Sequence, residues 1–118
     1  MFFFPFADEN PTNNKPIVSW LIIFTCSSIF LNQIFDPAYI TEQNFLSFGM
    51  IPAILFGHSE LSGHLKIIPS FLSIFTAMFL HGGWMHIIGN MTYLYIFGDN
   101  IEERLGKIKF IIFYLITG

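Results

Sequence analysis

The stretch His81-Gly82-Gly83-Trp84-Met85-His86-Ile87-Ile88-Gly89-Asn90-Met91 sets three polar side chains inside a run, 67–98, that holds no Asp, Glu, Lys or Arg. Pro69 and the pair Gly82-Gly83 interrupt that run, so one straight helix is not expected across it. Divided at the glycines, it predicts an apolar interfacial or re-entrant segment from Ser70 to Leu80. A membrane span is then expected from about Trp84 through Phe97 and into the charged cluster near residue 103. Trp84 at the break suits the membrane–water boundary, where an indole N–H keeps a polar partner.

On that helix His86 and Asn90 are four apart and share a face, with Cβ atoms about 6 Å apart. Polar groups at such depth are costly and usually face a bundle interior or a water-filled cavity. Two readings stand: hydrogen bonding to neighbouring spans, or a donor pair for a developing negative charge, as in an oxyanion hole. Metal or haem ligation is a weaker third. His81 and His86 would lie about 140° apart on a continuous helix, and no carboxylate accompanies them. His58 and His64 sit in a loop, where solvated histidines are expected. The sequon-like Asn90-Met91-Thr92 is too deep in the membrane to be modified.

Outward from this stretch, the chain is organised by where its charges are missing. Of 118 residues 53% are hydrophobic and 11% charged, against roughly 25% charged in soluble domains. An ordinary soluble monomer is therefore not expected, and the net charge of -3 gives no reason for a nucleic-acid partner. Residues 16–35 are also free of formal charge, which predicts a first span from Ile17 to Phe35, preceded by Pro16 and stopped by Asp36-Pro37. Its Ser, Thr, Asn and Gln side chains suggest that part of it faces other helices. Cys26 lies within it, where a small buried residue is the plain reading.

Pro37 to Lys66 is too long for a bare connection and predicts short interfacial helices. From Ile108 a third apolar run continues to Gly118, about 16 Å as helix, roughly half a bilayer core. Three of the five Lys and Arg residues, Arg104, Lys107 and Lys109, follow the second span. The positive-inside rule puts that connection and the N-terminal tail in the cytoplasm. No secretory signal is expected, because the start lacks a basic leader.

The run Thr76 to Met91, then Leu94, Phe97-Gly98 and Glu102-Glu103-Arg104-Leu105-Gly106, resembles the second-span region of the rhomboid intramembrane serine proteases. The tail Asp8-Glu9-Asn10-Pro11-Thr12 with Pro16-Ile17-Val18 resembles the start of many bacterial members. The resemblance implies an all-α integral membrane fold: the first two spans and part of the third of a six-helix bundle, with a long, partly helical loop between the first two. It divides the chain into a cytoplasmic tail, 1–16, and an incomplete membrane domain, 17–118, with spans at about 17–35, 84–103 and 108–118.

By the same resemblance His86 and Asn90 match the oxyanion-stabilising pair, and His81 matches a histidine of the loop before that span. Glu102, Arg104 and Gly106 match a Glu-x-Arg-x-Gly element read as structural, Glu102 and Arg104 bonding nearby backbone and Gly106 allowing the turn. Glu103 and Lys107 are expected to be solvated. A Trp-Arg pair found in the long loop of some members is Leu72-Ser73 here. The nucleophile motif Gly-x-Ser-Gly is absent, since Glu60-Leu61-Ser62-Gly63 fails its first position, and so is the later base histidine. The expectation is therefore part of an endopeptidase that cleaves transmembrane segments, with no cofactor, inactive as this chain alone. Its partners would be transmembrane substrates and the lipid bilayer, in a bacterial plasma membrane. A pseudoprotease that binds or escorts membrane clients, and a small structural or haem-binding membrane protein, are the alternatives.

Overall fold

The computed structural model describes residues 13–118; the tail stretch Asp8 to Thr12 lies outside the described residues. Every regular element among the described residues is helical. The helices are α1 (Ile17–Phe35), α2 (Ala38–Phe48), α3 (Pro52–Leu55), α4 (Ser73–Thr76), α5 (Trp84–Leu105) and α6 (Lys107–Thr117), joined in places by single 3-10 turns. The chain divides into two units, Met1–Ser27 with His81–Gly118, and Ser28–Leu80.

In the first unit the start of α1 packs on α5. On one face of α5 stand buried Ile87, Gly98 and Glu102 with half-buried Met91 and Leu94, spaced four, three, four and four apart in chain order, while Ile96 is buried off that face. Ser19 of α1 is buried against this face. A Cβ built on Gly98 would lie 2.8 Å from Ser19 Oγ and 3.0 Å from Leu94 Cδ1. Glycine is thus what lets the two backbones approach, the small-residue packing that apolar helix pairs use.

α5 ends where Gly106 adopts φ 80° and ψ 163°. That backbone region is essentially closed to residues with a Cβ, and it lets α6 start one residue later. α6 buries Phe110 and leaves Ile108, Ile112, Phe113 and Ile116 exposed.

In the second unit, α2 to α4 and the turns between them form a compact layer of short helices. Thr41 Oγ1 donates to the Gln33 carbonyl at 2.9 Å and ties α2 to the end of α1. Thr76 Oγ1 donates to the Phe48 carbonyl at 2.5 Å and ties the end of α4 to the end of α2. The expected re-entrant segment Ser70 to Leu80 is a succession of short helical turns, Ser70–Leu72, Ser73–Thr76 and Ala77–Phe79. Two of its serines account for part of this: Ser73 Oγ donates to the Ser70 carbonyl at 2.6 Å, a local bond that favours turns over a long helix.

Among the described residues α1 is long and apolar enough to cross a membrane by itself, and only 22% of its apolar stretch is buried within the chain. α5 carries Asp99, Glu102, Glu103 and Arg104 in its last two turns. It reaches the apolar length of a span only together with Ser70–Phe79.

Candidate functional site

The site-bearing part of α5 is its first two turns. Gly83, with extended backbone, precedes Trp84, and the Ile87 N–H closes the first turn on the Gly83 carbonyl at 3.1 Å. Because the helix begins after the glycines, His81 is not held at a fixed helical angle from His86. The two rings meet edge to face, centroids 5.1 Å apart and planes at 62°. The angle of about 140° for a continuous helix does not apply, because the break expected at Gly82-Gly83 is present. His81 is buried, 3% exposed, while His86 is exposed. No group of three His, Cys, Asp or Glu able to hold a metal occurs among the described residues.

His86 Nδ1 accepts the Gly82 backbone N–H at 3.4 Å. A neutral imidazole that accepts at one nitrogen carries its proton on the other, so Nε2–H remains the donor. Asn90, one turn further on, is exposed too. Tyr93 and Phe97 continue this stripe, their rings 5.8 Å apart. At 100° per residue the stripe lies roughly a quarter to a third of a turn around α5 from the buried face. Within this chain the His/Asn pair therefore faces outward, away from the buried face of α5. The pair is presented on one accessible surface.

The other end of α5 is polar and closed. Glu102 is 3% exposed, and its Oε1 accepts the Val18 backbone N–H at 2.6 Å. Ser19 Oγ lies 3.5 Å from Oε2 as a weak second donor. Lys107 Nζ is 3.7 Å from Oε1 and donates to the Lys15 carbonyl at 3.0 Å. Glu103 Oε1 accepts the Asn13 backbone N–H at 2.7 Å. Glu103 and Lys107 are thus not a merely solvated turn: both hold the segment leading into α1. Arg104 is exposed and its side chain makes no hydrogen bond among the described residues, so the backbone-binding role falls to Glu102.

Sequence reasoning did not anticipate a pocket of about 220 Å³ in the second unit, lined from α2 to α4. It is assembled from five short stretches, none of which carries a recognisable spacing. His58 and His64 are exposed, as a loop position suggests.

An apolar chain whose described elements are all helical, with one helix long and apolar enough to cross a membrane and a polar pair in the apolar first half of α5, has the character of the helical membrane protein class. Residues 69–118 match the family model of the Rhomboid domain. The segment takes in His81, His86, Asn90 and the whole Glu102–Gly106 element. Over 50 residues, 42% of this chain and 18% of the relative, it is 40% identical to Rhomboid-like protein 11, chloroplastic, of Arabidopsis thaliana. Over 45 residues, 38% of this chain and 15% of the relative, it is 42% identical to RHOMBOID-like protein 6, mitochondrial, of the same plant. The matched segment spans less than a fifth of either relative's length. No solved structure matches the chain.

Proposed function

We propose that this chain is part of a rhomboid-type intramembrane serine endopeptidase that cleaves transmembrane segments of other membrane proteins, and that His86 and Asn90 are its oxyanion donors. The observation that carries this is the outward pairing of the two side chains one turn apart on α5, with His86 Nδ1 already engaged by Gly82. Nucleophilic attack of a serine on a peptide carbonyl places negative charge on one oxygen. Two N–H groups converging on that point, imidazole Nε2–H and the Asn90 carboxamide, stabilise it without reorganising. The match of residues 69–118 to the Rhomboid domain model supports the reaction class.

The proposal includes the arrangement in the bilayer. α1, α5 and α6 are read as two spans and part of a third, with the tail before α1 and the α5–α6 junction on the cytoplasmic side, where Arg104, Lys107 and Lys109 gather. The plant relatives carry chloroplastic and mitochondrial names, so a bacterial plasma membrane is not drawn from them. The residues present supply oxyanion donors, but neither the serine in its motif nor the later base; the chain alone is expected not to hydrolyse peptide bonds.

The test is to join this chain to downstream sequence containing both missing groups and to assay cleavage of a transmembrane substrate in liposomes. Asn90→Ala and His86→Ala are each expected to lower turnover roughly 100-fold to 1000-fold, with substrate retention unchanged. Retained client binding without any cleavage in the unsubstituted protein would favour the escorting pseudoprotease. Cleavage indifferent to both substitutions would overturn the assignment.

A further inference from the structure

The pocket in the second unit plays no part in the chemistry proposed for α5, and its lining has a definite character. Two buried serines, Ser47 of α2 and Ser73 of α4, line it. So do Glu60 and Lys66, its one acid and one base, while the remaining lining is aliphatic or small. An anion would find Lys66 but be repelled by Glu60, and a cation would meet the reverse. A molecule carrying both charges satisfies both. Ser73 Oγ already donates its proton to the Ser70 carbonyl, so toward a ligand it offers lone pairs, which suit an N–H donor.

The setting of the pocket narrows the ligand further. Beside the lining stretches in sequence stand large apolar side chains that are exposed: Met50, Phe56, Ile67 and Phe71. Met50 separates Gly49 from Ile51, Phe56 precedes Gly57, Ile67 separates Lys66 from Ile68, and Phe71 follows Ser70. A site for a small water-soluble zwitterion has no use for such a surround. A site at the boundary between head groups and acyl chains does, because the apolar side chains enter the acyl region while the polar ones meet head groups.

We propose that this pocket binds the head group of a phospholipid bearing a primary ammonium, a phosphoethanolamine lipid. Its phosphate pairs with Lys66, its ammonium donates to Glu60 and to a serine oxygen, and its acyl chains lie along Phe56, Ile67 and Phe71. Binding is non-covalent and independent of whether His86 and Asn90 serve catalysis.

The test uses the whole chain in detergent micelles offered equal amounts of phosphatidylethanolamine, phosphatidylcholine and phosphatidylglycerol, with retained lipid read by native mass spectrometry. Phosphatidylethanolamine is expected to be retained roughly tenfold over the other two, the ratio one charged hydrogen bond provides. Lys66→Ala and Glu60→Gln should each remove that preference. Both residues are exposed, so helix content by circular dichroism should not change. Equal retention of the three lipids, or a preference that survives both substitutions, would overturn the proposal. A preference for phosphatidylglycerol lost only in Lys66→Ala would replace it with a simple anion site. Displacement of the lipid by free phosphoethanolamine at equal concentration would also overturn it, because the acyl chains would then contribute nothing.

Discussion

The carboxylate of Glu102 accepts the backbone N–H of Val18 at 2.6 Å, across 84 residues of chain. Val18 is the second residue of α1, one of the first-turn positions whose N–H groups have no partner inside the helix. Val18 and Glu102 are both buried, so water is scarce there, and an unsatisfied N–H is expensive. Glu102 therefore caps α1 from another helix, and its negative charge lies at the positive end of the α1 dipole. Lys107, at 3.7 Å and with its side chain half exposed, adds a screened attraction and not the main term.

Glu102→Ala is expected to destabilise the chain by about 1–3 kcal/mol, the cost of a buried donor left without its partner. Glu102→Gln keeps an acceptor at the same place and should cost less, while Lys107→Ala should cost under about 1 kcal/mol. Denaturant titration of helical circular dichroism in micelles measures all three. If Lys107→Ala cost as much as Glu102→Ala, the ion pair and not the cap would be the governing contact.

At Gly98 the expected failure is overpacking. A methyl there meets Ser19 Oγ at 2.8 Å, and forcing extra volume into a packed contact typically costs about 1–3 kcal/mol. Because the nearest obstacle is a single oxygen, Ser19→Ala should recover part of the loss in the double variant Gly98→Ala with Ser19→Ala. Leu94 Cδ1 can rotate away and should need no compensation. A double-mutant cycle measures the coupling; strictly additive effects would mean that α1 and α5 do not meet at this pair.

Much of this was legible because it depends on short-range pattern. The charge-free 16–35 run reads as a helix, and α1 occupies Ile17–Phe35. Gly82-Gly83 reads as a break, and α5 starts at Trp84. The structural standing of Glu102 and Gly106 came from a resemblance. The partners of Glu103 and Lys107 did not show, because a side chain bonding backbone some ninety residues away leaves no local period. The contact of His81 with His86 depends on the path of two glycines, and the lining of the 46–73 pocket on how five stretches fold together.

Gly106 gives a prediction that separates backbone strain from crowding. A Cβ there has nothing within 4 Å, yet φ is 80° and ψ is 163°. Gly106→Ala should lose about 1–3 kcal/mol through conformation alone. Asn often substitutes for Gly in left-handed helical turns, but this ψ lies outside that region. Gly106→Asn is accordingly expected to be no better than Gly106→Ala by the same thermal or denaturant assay, and rescue by Asn would place the residue in an ordinary left-handed cap.

The two readings of His86 and Asn90 can be told apart without an active enzyme. Groups that glue helices together are stabilising, whereas donors held ready on an exposed face are not. Both residues are exposed within this chain, so Asn90→Ala should change stability by no more than about 0.5 kcal/mol, as surface substitutions do, and His86→Ala, which also loses the His81 ring contact and the Gly82 bond, by no more than about 1 kcal/mol. The donor reading adds a spectroscopic requirement. With Nδ1 accepting from Gly82, nitrogen NMR of labelled His86 at neutral pH should show the proton on Nε2. Gly82→Ala should preserve that signature, since its Cβ would stand 4.0 Å from Nδ1, an ordinary contact. A neutral His86 carrying its proton on Nδ1 would leave no Nε2–H to meet an oxyanion, and a loss of stability well above 1 kcal/mol from either alanine would return the pair to a packing role.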